Sequence, residues 1–333
     1  MSEYGGSSKH ERSFRIVTDE YDLLNSDKRK PHRGGVVTNC DAVKSCGVVV
    51  PCYNEARRLD VAKFADFAGQ DHDIELIFVN DGSSDDTLTR VCEVYEQANN
   101  AVNVLSLASN CGKGEAVRRG MIWAASQGFS TIGFWDADLA TPLETILGFQ
   151  NVFRKYSHVD VVWGTRLSLL GHFIERDFVR RQIGRMFSAA SAAAVGVGTR
   201  DALCGAKMFR NGKMLSSLLA KPYSSRWIFD VEILARIQIL SSANQAKPIQ
   251  ELMYEYPLDQ WFEMAGSKLR TIDFVRATSE LTSLCWHYRV YPKTVRRALL
   301  ADQVMDCQQL RAEFGCELVR EAVRPQKRLR QAA

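Results

Sequence analysis

The chain reads as an α/β protein built on a mostly parallel sheet, and three observations predict it. Short apolar runs rich in β-branched residues recur from Gly47 onward. Each is followed by a polar turn and then a stretch of helical length. The polar motifs that could carry chemistry all fall just after those apolar runs. Strands alternating with helices of about 10–15 residues imply right-handed crossovers and parallel pairing, and such sheets bind ligands at the carboxyl ends of their strands.

The elements follow in order. Gly47-Val48-Val49-Val50 suits a strand buried on both faces and ended by Pro51. Ile74 to Val79 is the second strand, and a helix from Asp85 to Gln97 follows it, with Ser84 as N-cap and Asp85 and Asp86 in a first turn that favours negative charge. Val102–Leu107, Thr131–Trp135 and Val159–Trp163 are further strands; Gly114–Gln127 and Leu143–Tyr156 are further helices. Beyond them the pattern loosens: a helix over Arg176–Val195, a short strand at Lys207-Met208-Phe209 and a helix over Phe229–Ile239. Residues 1–43, rich in Ser, Gly, Lys and Arg, read as a flexible leader. One domain spans 44–289, and a basic helical extension occupies 290–333.

The 333 residues are 46% hydrophobic and 25% charged, with a net charge of +4. That balance is ordinary for a globular enzyme and does not call for nucleic acid. Nine cysteines with no C-x-x-C pair argue against a zinc site. Cys46, Cys52 and Cys204 sit in apolar surroundings as small hydrophobes. With no apolar signal segment, this predicts a reducing, cytoplasmic setting. No run approaches the roughly 20 apolar residues that a membrane span needs; Met186 to Gly198 is too short.

Phe134-Trp135-Asp136-Ala137-Asp138 is the strongest local signal, an apolar strand delivering two carboxylates into the loop at its end. Hard divalent ions such as Mg²⁺ take oxygen ligands, often one or two carboxylates with phosphate oxygens completing the shell. Asn80-Asp81-Gly82-Ser83 has the composition of any turn, and equally offers Asp81 as an acceptor for a nucleotide base or ribose. Asn110-Cys111-Gly112-Lys113-Gly114 opens a helix. It is not a phosphate-binding P-loop, because no Ser or Thr follows the lysine. Either Gly112 and Lys113 admit and attract a nucleotide, or the lysine is merely solvated. Asp230 and Glu232 are acids at a helix start, which helix electrostatics favours by itself, or bases beside an apolar approach that raises a carboxylate pKa.

Val48-Val49-Val50-Pro51-Cys52-Tyr53-Asn54-Glu55, Asn80 to Asp85, Asn110-x-Gly-Lys-Gly and Asp136-Ala137-Asp138-Leu139-Ala140-Thr141-Pro142 occur in one order. Gly164-Thr165-Arg166, Cys204 to Phe209, Trp227 to Glu232 and Trp261 to Lys268 continue the series. Together, over about Gly47 to Arg276, they resemble the family-2 glycosyltransferases with the GT-A fold, a Rossmann-like sheet flanked by helices. Within the family the chain is most similar to the dolichyl-phosphate glucosyltransferase branch. The resemblance implies that Pro51, Tyr53, Glu55 and Asp81 contact the nucleoside. Asp136 and Asp138 hold Mg²⁺ or Mn²⁺ and the diphosphate, Arg166 and Lys268 hold phosphates, and Asp230 or Glu232 lies near the acceptor. It implies an inverting transfer of glucose from UDP-glucose to a polyprenyl phosphate.

Ala206 stands where the branch has Phe, and a polar leader where the branch has a membrane-spanning segment. A soluble or polysaccharide acceptor therefore stays open, as does a nucleotide-binding module without turnover. Arg176, Arg180, Arg181 and Arg185 form a basic face beside the apolar Met186–Val197 run. That face suits solvent, an acceptor phosphate, or peripheral contact with anionic lipid on the cytosolic side of a membrane.

Overall fold

A computed structural model describes residues 46–175 except 71 and 100, 196–243 except 227, 248–263, 278–284, and the isolated positions 184, 189, 190, 286, 288, 317 and 318. Residues 39–316 form one compact unit. A second unit comprises 1–38 and 317–333; within it only Glu317–Leu318 is described, as a two-residue strand where the sequence predicts helix. The leader, the Arg176–Val195 segment apart from positions 184, 189 and 190 (Arg176 and Arg180 included), Lys268 and nearly all of the C-terminal extension lie outside the described residues.

Strands β1 (Cys46–Cys52), β2 (Ile74–Asn80), β3 (Val102–Ser106), β4 (Thr131–Phe134) and β5 (Val161–Thr165) lie close to their expected positions. So do helices α2 (Thr87–Gln97), α3 (Lys113–Ser126) and α4 (Thr145–Lys155). A short helix, α1 (Val61–Ala68), precedes β2. Later come β6 (Phe173–Ile174), β7 (Lys207–Arg210), α5 (Lys213–Leu219), α6 (Phe229–Ala243), α7 (Ile249–Leu252), β8 (Met253–Pro257) and β9 (Gln260–Trp261).

The main sheet of this unit runs β3-β2-β1-β4-β7-β5-β8. Every neighbouring pair is parallel except those of β7, which is antiparallel to both β4 and β5. Strands β6 and β9 pair separately, in parallel. The largely parallel expectation therefore holds with one reversal. β7 starts at the end of the sheet where β4 and β5 finish, Lys207 pairing with Phe134 and with Trp163.

Two local expectations need correction. Pro51 does not end β1, which runs on to Cys52. The β1–β4 ladder stops at Val49 with Phe134, and Val49 already receives the Trp135 N–H, so the N–H that Pro51 lacks would have faced a side with no partner strand. Ser84 is not the N-cap of α2, which begins at Thr87 behind Asp86. Its N–H instead donates to Asn54 Oδ1 at 2.9 Å, tying two turns together, while Asp85 receives the Thr87 N–H at 3.1 Å.

Val48, Val49 and Val50 are fully buried, as a strand covered on both faces must be. Cys46, Cys52 and Cys204 are buried thiols. Burial pushes the Cys46 thiol up to about 12 and that of Cys204 to about 11, so both behave as the inert hydrophobes expected. Among the described residues no helix is long and apolar enough to cross a membrane.

Helix α3 reaches the sheet through Gly120, where a Cβ would lie 2.6 Å from Val49 Cγ1 and 2.8 Å from Val79 Cγ2. Gly→Ala inside a helix ordinarily gains about 1 kcal/mol. Overpacking a tight core costs about 1–3 kcal/mol, so Gly120→Ala should lower the urea midpoint. A raised midpoint would show that α3 can lift off the sheet without penalty.

Candidate active site

The carboxyl ends of β1 to β5 and the start of β7 converge, and the loops there hold each other by side-chain to backbone bonds. After β1, Asn54 adopts a left-handed conformation (φ 51°), and its N–H donates to Ser83 Oγ at 3.1 Å. Glu55 donates its N–H to Thr87 Oγ1 at 2.7 Å and accepts a two-pronged ion pair from Arg58 at 2.6 and 2.7 Å. Pro51 lies in the last residues of β1, and Tyr53, exposed, begins the turn.

Asp81, 2% exposed after β2, organises the next loop. Its Oδ1 accepts the Cys111 N–H at 2.7 Å; its Oδ2 accepts the Gly112 N–H at 2.9 Å and Asn110 Nδ2 at 3.0 Å. Burial nevertheless pushes its carboxyl up, the two backbone donors and the charges of Arg226 and Arg119 pulling the other way. Gly112 sits at φ +93°, a left-handed value that favours glycine. Arg226 lies against it and donates to Asn110 Oδ1 at 2.9 Å.

That loop aims Lys113 at Asp136, with Nζ 2.5 Å from Oδ1. Burial opposes ionisation of Asp136, but Lys113, Lys207 and Arg166 outweigh it and hold the carboxyl below its ordinary value. Asp138 goes the other way: burial, then the charge of Asp136, pushes it up. Ala140 N–H donates to Asp138 Oδ1 at 3.1 Å, and Arg58 stands 3.9 Å from Oδ2. Gly205 backs Asp136 so closely that a Cβ there would lie 1.9 Å from Oδ2.

The side chains of Asp136 and Asp138 are 34% and 26% exposed, so hard oxygen donors remain open to solvent. Among the described residues no group of three His, Cys, Asp or Glu could enclose a metal ion. The donor set therefore fits a Mg²⁺ or Mn²⁺ ion that shares its shell with the oxygens of a bound diphosphate, and does not fit a closed protein cage.

Asp230 and Glu232 separate cleanly. Asp230 Oδ1 accepts from Lys207 Nζ at 2.6 Å, and its negative charge bears on Lys113 beside Asp136. Glu232, 1% exposed, points elsewhere. Its Oε2 accepts Ser224 N–H at 2.8 Å, Ser224 Oγ at 2.9 Å and Ser225 N–H at 3.1 Å; its Oε1 accepts Arg236 Nη2 and Tyr288 Oη, both at 2.8 Å. With both oxygens engaged, Glu232 anchors the turn before α6. Arg166, expected to hold phosphate, lies at the site but is already paired. Nε and Nη2 reach Asp201 at 2.6 and 2.7 Å, and the guanidinium stacks 5.3 Å from the Trp261 ring.

Residues 47–213 match the family Glycosyl transferase family 2. The chain belongs to glycosyltransferase family 2. Among the family's curated members it is 31% identical to the dolichyl-phosphate beta-glucosyltransferase of Homo sapiens, over 68% of this chain and 70% of that one. It is 30% identical to the enzyme of the same name from Dictyostelium discoideum, over 67% of this chain and 68% of that one. A glucosyl-3-phosphoglycerate synthase from Mycobacterium tuberculosis, solved with Mn²⁺ and uridine diphosphate, superposes with a TM-score of 0.53 at 16% identity, covering 73% of this chain and 79% of that one. At that identity the likeness establishes the GT-A fold. The protein is a family-2 glycosyltransferase.

Arg58, Asp201, Gly205, Lys207 and Arg226 also shape the site and were not singled out from sequence. The available signals were a lysine opening a strand before the apolar Met208-Phe209 and a glycine two residues before it. The anchor reading of Glu232 has a direct test. Glu232→Gln leaves Arg236 without its buried partner, which should cost about 3–5 kcal/mol in urea unfolding. A wild-type midpoint would return Glu232 to the list of candidate bases.

Proposed function

We propose that this family-2 glycosyltransferase moves glucose from UDP-glucose to a polyprenyl phosphate, with inversion, using Mg²⁺ or Mn²⁺. The observation that carries the reading is the Asp136/Asp138 pair at the end of β4, flanked by Lys113. The pair occurs in a chain that covers about two thirds of relatives named dolichyl-phosphate beta-glucosyltransferase. An α-linked donor yielding a β-linked product requires a single displacement, hence inversion.

In this reading Pro51, Tyr53 and Glu55 line the nucleoside, and Asp81 shapes the 110–112 backbone on which it lies. Asp136 and Asp138 hold the metal, which supplies charge neutralisation for the departing diphosphate. Lys113 adds a positive charge at the same place. The acceptor phosphate oxygen forms its bond to the sugar C1 as the C1–O bond to UDP breaks, and UDP leaves with the electron pair. Any proton still on the acceptor phosphate passes to Asp230. Arg166 Nη1, which bonds no described residue, is the guanidinium nitrogen left for a phosphate. Arg176, Arg180 and Lys268 complete the phosphate set, and the basic run provides peripheral contact with an anionic bilayer.

The test is incubation with UDP-[¹⁴C]glucose, Mn²⁺ and dolichyl phosphate, followed by extraction of label into organic solvent. Asp136→Asn and Asp138→Asn should each abolish the extracted label while leaving the unfolding midpoint nearly unchanged, because both groups are part-exposed. Gly205→Ala should do the same, since its Cβ would displace the Asp136 carboxylate. Release of UDP by the wild-type protein with no label extracted into the organic phase would overturn the lipid acceptor. Full activity in either Asp variant would remove that residue from the metal site.

A further inference from the structure

Lys207 is fully buried. Its Nζ donates to Asp230 Oδ1 at 2.6 Å and to the Cys204 carbonyl, and lies 4.1 Å from the Trp163 ring centroid and 5.1 Å from that of Phe134. An ammonium taken wholly out of water keeps its charge only beside an anion and well-placed acceptors, and ring faces add to that attraction. As a stabilising device the pair is poor, because apolar residues of the same volume serve as well or better.

Its position offers a better reason. Lys207 opens β7, with Phe134 of β4 on one side and Trp163 of β5 on the other. Phe134 comes two residues before Asp136, and Trp163 three before Arg166. One side chain thus ties the strand carrying the metal carboxylates, the strand carrying Arg166 and the first turn of α6 carrying Asp230. It engages Oδ1 of Asp230 and leaves Oδ2, which bonds no described residue.

We infer that Lys207 is a positioning residue for Asp230, holding that carboxylate by Oδ1 so that Oδ2 is the oxygen presented to the acceptor. It also cancels the charge of Asp230. An anionic acceptor such as a phosphate therefore meets a neutral pair instead of a bare carboxylate, whose repulsion would be strong in so dry a setting. The inference rests on the proposed glycosyl transfer and on Asp230 lying at the acceptor.

The experiment compares Lys207→Met, Asp230→Asn and the double variant with the wild-type protein, reading turnover as UDP release and glucosyl lipid separately. Lys207→Met should lower kcat about 10²-fold or more with the donor KM little changed. In the Asp230→Asn background the same substitution should lower kcat no further, since a residue that acts through Asp230 has nothing left to position. Unchanged kcat in Lys207→Met, a rise in donor KM alone, or losses that multiply in the double variant would each overturn the inference. If Lys207→Met fails to fold, the double variant, which buries no charge at this place, is compared with Asp230→Asn. Equal kcat supports the positioning role and a further loss overturns it. UDP release by the wild-type protein without glucosyl lipid would sink the lipid acceptor and leave the Lys207 comparison standing.

Discussion

Because β7 enters the sheet antiparallel between β4 and β5, its first residue lies level with the last residue of β4. A lysine at that position is buried under two aromatic rings and still reaches the start of α6. The reversal puts a fixed cation beneath the acids of the site, and the rest of the constellation is arranged around it.

Charge alternates across this floor. Lys113 lies against Asp136, Lys207 against Asp230, and Arg58 between Glu55 and Asp138. Gly205 allows the Asp136 carboxylate to lie flat on the backbone before β7, and any side chain there would occupy the space of its oxygens. Asp136 and Asp138 share a loop yet shift in opposite directions. The first is surrounded by cations, whereas the second faces chiefly its burial and the charge of the first.

Other carboxylates of the same region serve the scaffold. Asp81 uses both oxygens to gather the Asn110–Gly112 backbone, and Glu232 uses both to hold Ser224, Ser225, Arg236 and Tyr288. Arg236 in turn caps the carbonyls of Leu218, Lys221 and Pro222, so the turn leading into α6 is held from several sides. That rigidity reaches Asp230, two residues before Glu232, and Arg226, which packs on Gly112. Unlike Asp81 and Glu232, Asp230 has one oxygen, Oδ2, that bonds no described residue.

By itself the sequence determined the α/β class, five strands and most of the helices, because hydrophobic period and turn chemistry are local properties. It also placed Asp136 and Asp138 just beyond the end of a buried strand, since an apolar strand ending in paired acids is a contiguous signal. It marked Asp230 and Glu232 alike, because both stand on the first turn of one helix. Only the tertiary structure parted them: which acid faces Lys207 and which faces Arg236 depends on segments far apart in the chain. The reversal of β7, the ion pair of Arg166 with Asp201 and the seat of Gly205 against Asp136 were likewise decided by long-range packing. Each joins residues whose neighbours along the chain carry no trace of the partner, so no periodicity or spacing could have announced them.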